Sequence, residues 1–111
     1  MVDSYIEVTG QDFAEKVLNS EQMVLVNFST EKVGACQIQN PEFEALSKEY
    51  PGRVTFAKLD TDTNSAITDQ WKIDGVPTII FFKGGKEIYR IKGIMMRGRL
   101  RRQIEGALLA I

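Results

Sequence analysis

The sequence predicts an α/β fold with a central mixed β-sheet flanked by helices, in the order βαβαβαββα. Three observations carry that expectation. Met23-Val24-Leu25-Val26, continuing into Asn27-Phe28, is an apolar, β-branched run of the kind buried on both faces of a parallel sheet. A helical pattern then reaches Tyr50 and is followed by the alternating run Arg53–Asp60, and a strand–helix–strand unit makes its two strands parallel. Finally, Ile79-Ile80-Phe81-Phe82 is a second apolar strand. The turn Lys83-Gly84-Gly85-Lys86 closes it onto Glu87–Ile91 as an antiparallel hairpin.

The remaining elements follow in chain order. Tyr5-Ile6-Glu7-Val8 alternates weakly and is expected to be a short strand. Thr9 with Asp12 three residues on has the form of a helix start, Phe13, Val17 and Leu18 give that helix an apolar face, and Asn19-Ser20 ends it. The helix after the first apolar strand should begin near Val33 or Gly34. Ile38, Phe43, Leu46 and Tyr50 supply its apolar positions, and Pro41 within it predicts a kink. Pro51-Gly52 stops it. Thr63-Asn64-Ser65 is placed to cap a third helix carrying Ile67 and Trp71, which ends at Lys72–Gly75. Gly93 interrupts the strand after the hairpin. The last helix runs from about Arg97 with Leu100, Ile104, Ala107, Leu108 and Ile111 on one stripe, while Arg99 and Arg102 point outward.

Composition narrows the function classes. The 111 residues are 43% hydrophobic and 26% charged, with a net charge of -1. One domain spanning 1–111, with its own core, is the expectation. The charge balance points to neither nucleic acid nor a membrane surface as partner. No apolar run approaches the ~20 residues that cross a bilayer, and Met1–Ser4 lacks the basic and apolar regions of a signal peptide. A cytoplasmic protein is therefore expected. The chain has one cysteine and no histidine. An internal disulfide is thus impossible, and a zinc cluster or a histidine general base is not expected. No metal or other cofactor is called for.

The chemistry-bearing stretch is Lys32-Val33-Gly34-Ala35-Cys36, in the loop at the carboxyl end of the buried strand, where open α/β sheets place their sites. Together with Val24–Phe28, Pro41, Phe56–Asp60, Trp71–Thr78, Phe82–Gly85 and Gly93, in that order and spacing, it makes the chain from about Ser4 to Ile111 resemble the thioredoxin family. The resemblance implies a thioredoxin-like fold, a cis Val76–Pro77 bond and Pro77 set against the Gly34–Cys36 loop. It also implies that the site is degenerate. The family works through Trp-Cys-Gly-Pro-Cys. Here Val33 stands at the attacking cysteine, Ala35 at the proline, Cys36 at the resolving cysteine, Asn27 at the family's buried carboxylate, and Ser29 and Lys32 at two tryptophans. Thiol–disulfide exchange needs a thiolate to attack and a second thiol to release the product, so dithiol reductase activity is expected to be absent.

Two functions remain. In the first, Lys32, Val33, Gly34, Ala35, Val76, Pro77, Thr78 and Gly93 form an apolar surface that docks an extended polypeptide or partner protein, with backbone pairing at Val76. The chain would then be a binding or adaptor module, a monomer or weak dimer. In the second, Cys36 is a reactive single thiol that forms mixed disulfides in cell redox homeostasis. The helix N-terminus favours its thiolate, with Lys32 helping if it turns toward the sulfur. A buried, structural thiol is the competing reading of Cys36.

Overall fold

The computed structural model describes residues 4–111. Strand β1 (Tyr5–Glu7) is followed by a short π-helical segment, Ala14–Leu18. Then come β2 (Met23–Ser29), α1 (Gly34–Ser47), β3 (Val54–Asp60), α2 (Ser65–Gln70), β4 (Thr78–Lys83), β5 (Lys86–Lys92) and α3 (Arg97–Ala110). The sheet order is β1-β3-β2-β4-β5. β3 runs parallel to both β1 and β2, whereas β4 is antiparallel to β2 and to β5. The sheet is therefore mixed, with its most apolar strands in the middle.

Pleating divides the core into two layers, because successive strand side chains face opposite ways. Met23 and Leu25 of β2 join Phe43, Leu46, Phe56, Phe81, Leu100 and Ile104 on the α1 and α3 side. Val24, Val26 and Phe28 join Phe13, Val17, Ile67, Ile80 and Phe82 on the other. All seven β2 side chains are buried. The β4–β5 turn is made by Gly84 and Gly85 at φ of 61° and 77°, a left-handed geometry that glycine adopts without strain.

Several local expectations need correction. The first helical segment is a five-residue π turn, and Thr9 does not cap it. Instead the Asp12 carboxylate accepts from the Thr9 N–H at 2.6 Å. Asn64 precedes α2 without capping it. Its side chain is diverted, with Oδ1 accepting from the Gly10 N–H and Nδ2 donating to the Asp60 carbonyl. α1 passes through Pro41 and ends at Ser47, three residues before Tyr50. Ile38 is 51% exposed, and the buried stripe of that helix is Cys36, Gln39, Phe43 and Leu46. At the chain end Leu100 and Ile104 are buried and Ala107 and Leu108 pack on the core, but Ile111 is exposed. Arg99 and Arg102 are exposed, as the stripe requires.

Candidate functional site

Register fixes which loops meet. Phe28 of β2 lies opposite Thr78 of β4, and Thr78 lies opposite Lys92 of β5. The segment leaving β2, the segment entering β4 and the segment leaving β5 therefore share one end of the sheet. These segments carry Lys32–Cys36, Val76-Pro77 and Gly93, so the topology gathers the residues expected to form the site. The Val76–Pro77 bond is cis, and Gly93, at φ 88°, donates its N–H to the Pro77 carbonyl at 2.9 Å. That bond ties the β5 exit to the β4 entry.

The surface these residues present is less open than expected. Val33, Ala35 and Val76 are half-buried and Pro77 is buried, while Lys32, Gly34 and Gly93 are exposed. Thr78 is also buried and its hydroxyl donates to the Gly75 carbonyl at 2.7 Å, so it offers a ligand no side chain. The large exposed apolar groups of this region are Ile38, Ile94 and Met96, at 51%, 41% and 51% exposure. They neighbour, along the chain, a bonded pair absent from the sequence reading: Gln39, fully buried, donates to the Met95 carbonyl at 3.1 Å and accepts the Met95 N–H at 2.7 Å. The signal for Gln39 was its place in the stripe Cys36–Gln39–Phe43–Leu46.

Cys36 lies in the first turn of α1 with 0% exposure. Its N–H donates to the Val33 carbonyl at 3.0 Å. Lys32 has not turned toward the sulfur. Its side chain is 82% exposed and its ammonium stands 3.5 Å from the Asp62 carboxylate. The Thr30 hydroxyl donates to that same carboxylate at 2.6 Å. The Thr30 bond, with the charge of Lys32 behind it, holds the Asp62 carboxyl below the usual range.

Asn27 faces α1, on the same side of the sheet as Met23 and Leu25, and is fully buried. Its Nδ2 donates to Asn40 Oδ1 at 2.8 Å, and its own Oδ1 has no partner. The neighbouring cation, Lys58, sits opposite it in register but bonds Glu44 of α1 at 2.7 Å. Burial pulls the Lys58 pKa down, yet the Glu44 bond and charge outweigh it, leaving the ammonium above its ordinary value. No cluster of three or more potential metal ligands exists among the described residues. None of the described helices is long and apolar enough to cross a membrane.

With this geometry the comparisons with known proteins agree. The thioredoxin family model matches residues 4–106. Thioredoxin X, chloroplastic, of Arabidopsis thaliana is 37% identical over 107 residues, which is 95% of this chain and 59% of that protein, so this chain spans under two thirds of its length. A thioredoxin of Chlorobaculum thiosulfatiphilum is 33% identical over 91% of this chain and 94% of its own, and thioredoxin 2 of Chlorobaculum tepidum is 31% identical over 95% and 96%. The mixed five-stranded sheet flanked by helices defines a thioredoxin-fold protein. The chain belongs to the thioredoxin family, and its single cysteine, Cys36, is consistent with a degenerate form of the two-cysteine motif.

Proposed function

We propose that residues 1–111 act as one thioredoxin-like domain that binds an extended polypeptide without dithiol chemistry. One observation carries this reading. Valine occupies position 33, where the resemblance puts the attacking thiol, and the one remaining thiol, Cys36, has no exposed surface. Valine has no ionisable group, and a sulfur out of contact with solvent cannot be reached by a disulfide while the fold stays closed. What the site keeps is shape: half-buried Val33, Ala35 and Val76, exposed Ile38, Ile94 and Met96, and glycine backbone at 34 and 93. Partly buried apolar groups beside open backbone suit an extended chain laid along them. Single-thiol exchange at Cys36 is the second function class, and it requires the first turn of α1 to open.

The test is a titration of the labelled chain with reduced, carboxymethylated α-lactalbumin, an unfolded polypeptide without free thiols. Saturable shifts of the amide signals of residues 33–36, 76, 78 and 93 are expected, while insulin disulfide reduction stays at the uncatalysed rate. Binding that leaves those signals unmoved, or insulin reduction well above background, overturns the reading.

A further inference from the structure

Between the edge strand β5 and the last helix lies an apolar groove of about 340 Å³. That volume lies within the range of ligand pockets, ~300–1,000 Å³. Ile88 and Tyr89 of β5 form one wall, and Gly106, Ala107 and Ala110 of α3 form the other. Gln103 supplies an amide, and no charged side chain lines the groove.

The strand wall is built by an irregularity. Adjacent strand residues ordinarily face opposite sides of a sheet. Here Phe81 pairs with Tyr89 and Phe82 with Glu87, so Ile88 is an extra residue, a bulge. Two consecutive large apolar side chains thereby line one groove, and both stay exposed. The bulge also interrupts the ladder of this edge strand, which counts against a second strand adding there. The helix wall is shallow, because glycine and the two alanines let another backbone come close. A methyl group added at Gly106 would meet nothing within 4 Å.

Charge indicates what the groove fits. Among the described residues, Arg53, Arg90, Arg97 and Arg101 each pair with a carboxylate. Arg99 and Arg102 pair with none. Both are exposed, and they stand one helical turn ahead of Gln103 and Gly106. Lys86, exposed and likewise unpaired, shares the sheet face of Tyr89. The carboxylates nearest in sequence are engaged elsewhere: Glu87 with Arg90, and Glu105 with Tyr50 and Arg53. The first turn of α3 holds no acidic residue, so the helix dipole opposes Arg99 rather than explaining it.

We propose that this groove docks an acidic amphipathic helix of a partner protein. The apolar stripe of that helix covers Ile88, Tyr89 and the small residues of α3, and its carboxylates meet Arg99, Arg102 and Lys86. An anionic membrane shares the charge but has no ridge to fill a concave groove. The groove shares no residue with the Val33–Val76 surface and stands whether or not a polypeptide docks there.

The experiment titrates the isotope-labelled full chain with a capped amphipathic peptide of leucine, alanine and glutamate, about 14 residues long. The control peptide carries lysine in place of glutamate. Saturable shifts of the Ile88, Tyr89, Gln103, Gly106 and Ala110 amide signals are expected with the glutamate peptide, weakening as salt is raised, and none with the lysine peptide. Arg99→Glu combined with Arg102→Glu should weaken binding roughly five- to tenfold, as befits exposed charge pairs. Gly106→Leu grows into open space and favours helix, so this variant is expected to stay folded and lose the shifts. Signals that do not move, that move equally with the lysine peptide, or that persist in Gly106→Leu overturn the proposal. Shifts confined to residues 33–36 and 76 overturn it as well, by placing the peptide on the other surface. Saturable binding to phosphatidylglycerol vesicles without a response to the glutamate peptide would make this face a membrane contact and overturn it too.

Discussion

Asn27 shows how much a single side chain can carry. It is fully buried, satisfied on one side by Asn40 and orphaned on the other. A carboxylate there would be desolvated, while the nearby ammonium of Lys58 is committed to Glu44. Burial without a partner raises a carboxyl pKa. For Asn27→Asp the folded pKa therefore lies above the unfolded value of ~3.9. The variant is then least affected below that unfolded value, and stability falls as pH rises above it. Denaturant titration should show a loss of about 2–3 kcal/mol at pH 7 that shrinks toward pH 4. Equal stability at pH 7 would mean that Lys58 had left Glu44 for the new carboxylate. The position itself was legible from the buried run of β2. Its partner was not, because nothing in a sequence pairs two asparagines across 13 residues and two elements.

Helix α1 shows where pattern reading slips. Ile38 is the most apolar residue of its first two turns, and apolarity alone would put it on the buried face. The helix instead buries Cys36, Gln39, Phe43 and Leu46, spaced by three or four residues, and leaves Ile38 out. Glutamine can lie in that stripe because both ends of its amide bond the backbone of Met95, which leaves no polar atom stranded. Gln39 thereby fastens α1 to the segment entering α3. Gln39→Leu keeps the apolar volume but strands the Met95 N–H and carbonyl. It is expected to cost about 2–4 kcal/mol and to speed hydrogen exchange of the Met95 amide. Unchanged exchange would show that water or a shifted backbone replaces the bonds. The short elements depart from their local capping pattern for a related reason. Thr9 and Asn64 have capping chemistry, but Asn64 is drawn to Gly10 and Asp60, contacts that exist only once β1 and β3 are side by side.

At the scale of the molecule the fold was readable because its decisive signals are long and mutually consistent. Two apolar strands, a helical crossover and a glycine hairpin leave few arrangements once parallel crossovers are held to one hand. The sheet order then places Lys32–Cys36, Val76-Pro77 and Gly93 at one end. What the pattern does not encode is depth. Whether a side chain at that end is covered depends on packing from several elements at once. Pro77 and Thr78 prove buried where open surface was expected. The apolar groove is likewise a product of assembly, since one wall comes from β5 and the other from α3.

The same depth decides Cys36. The proposed polypeptide-binding role without thiol chemistry rests on a sulfur that the fold closes away from solvent. The most direct measurement is the rate at which a small aromatic disulfide reacts with Cys36 across pH, in the native and in the denatured chain. Slow native reaction that becomes fast only on unfolding is the predicted result. Native reaction as fast as the denatured chain, with a midpoint below that of an ordinary thiol near ~8.5, would contradict it and make Cys36 a working single thiol.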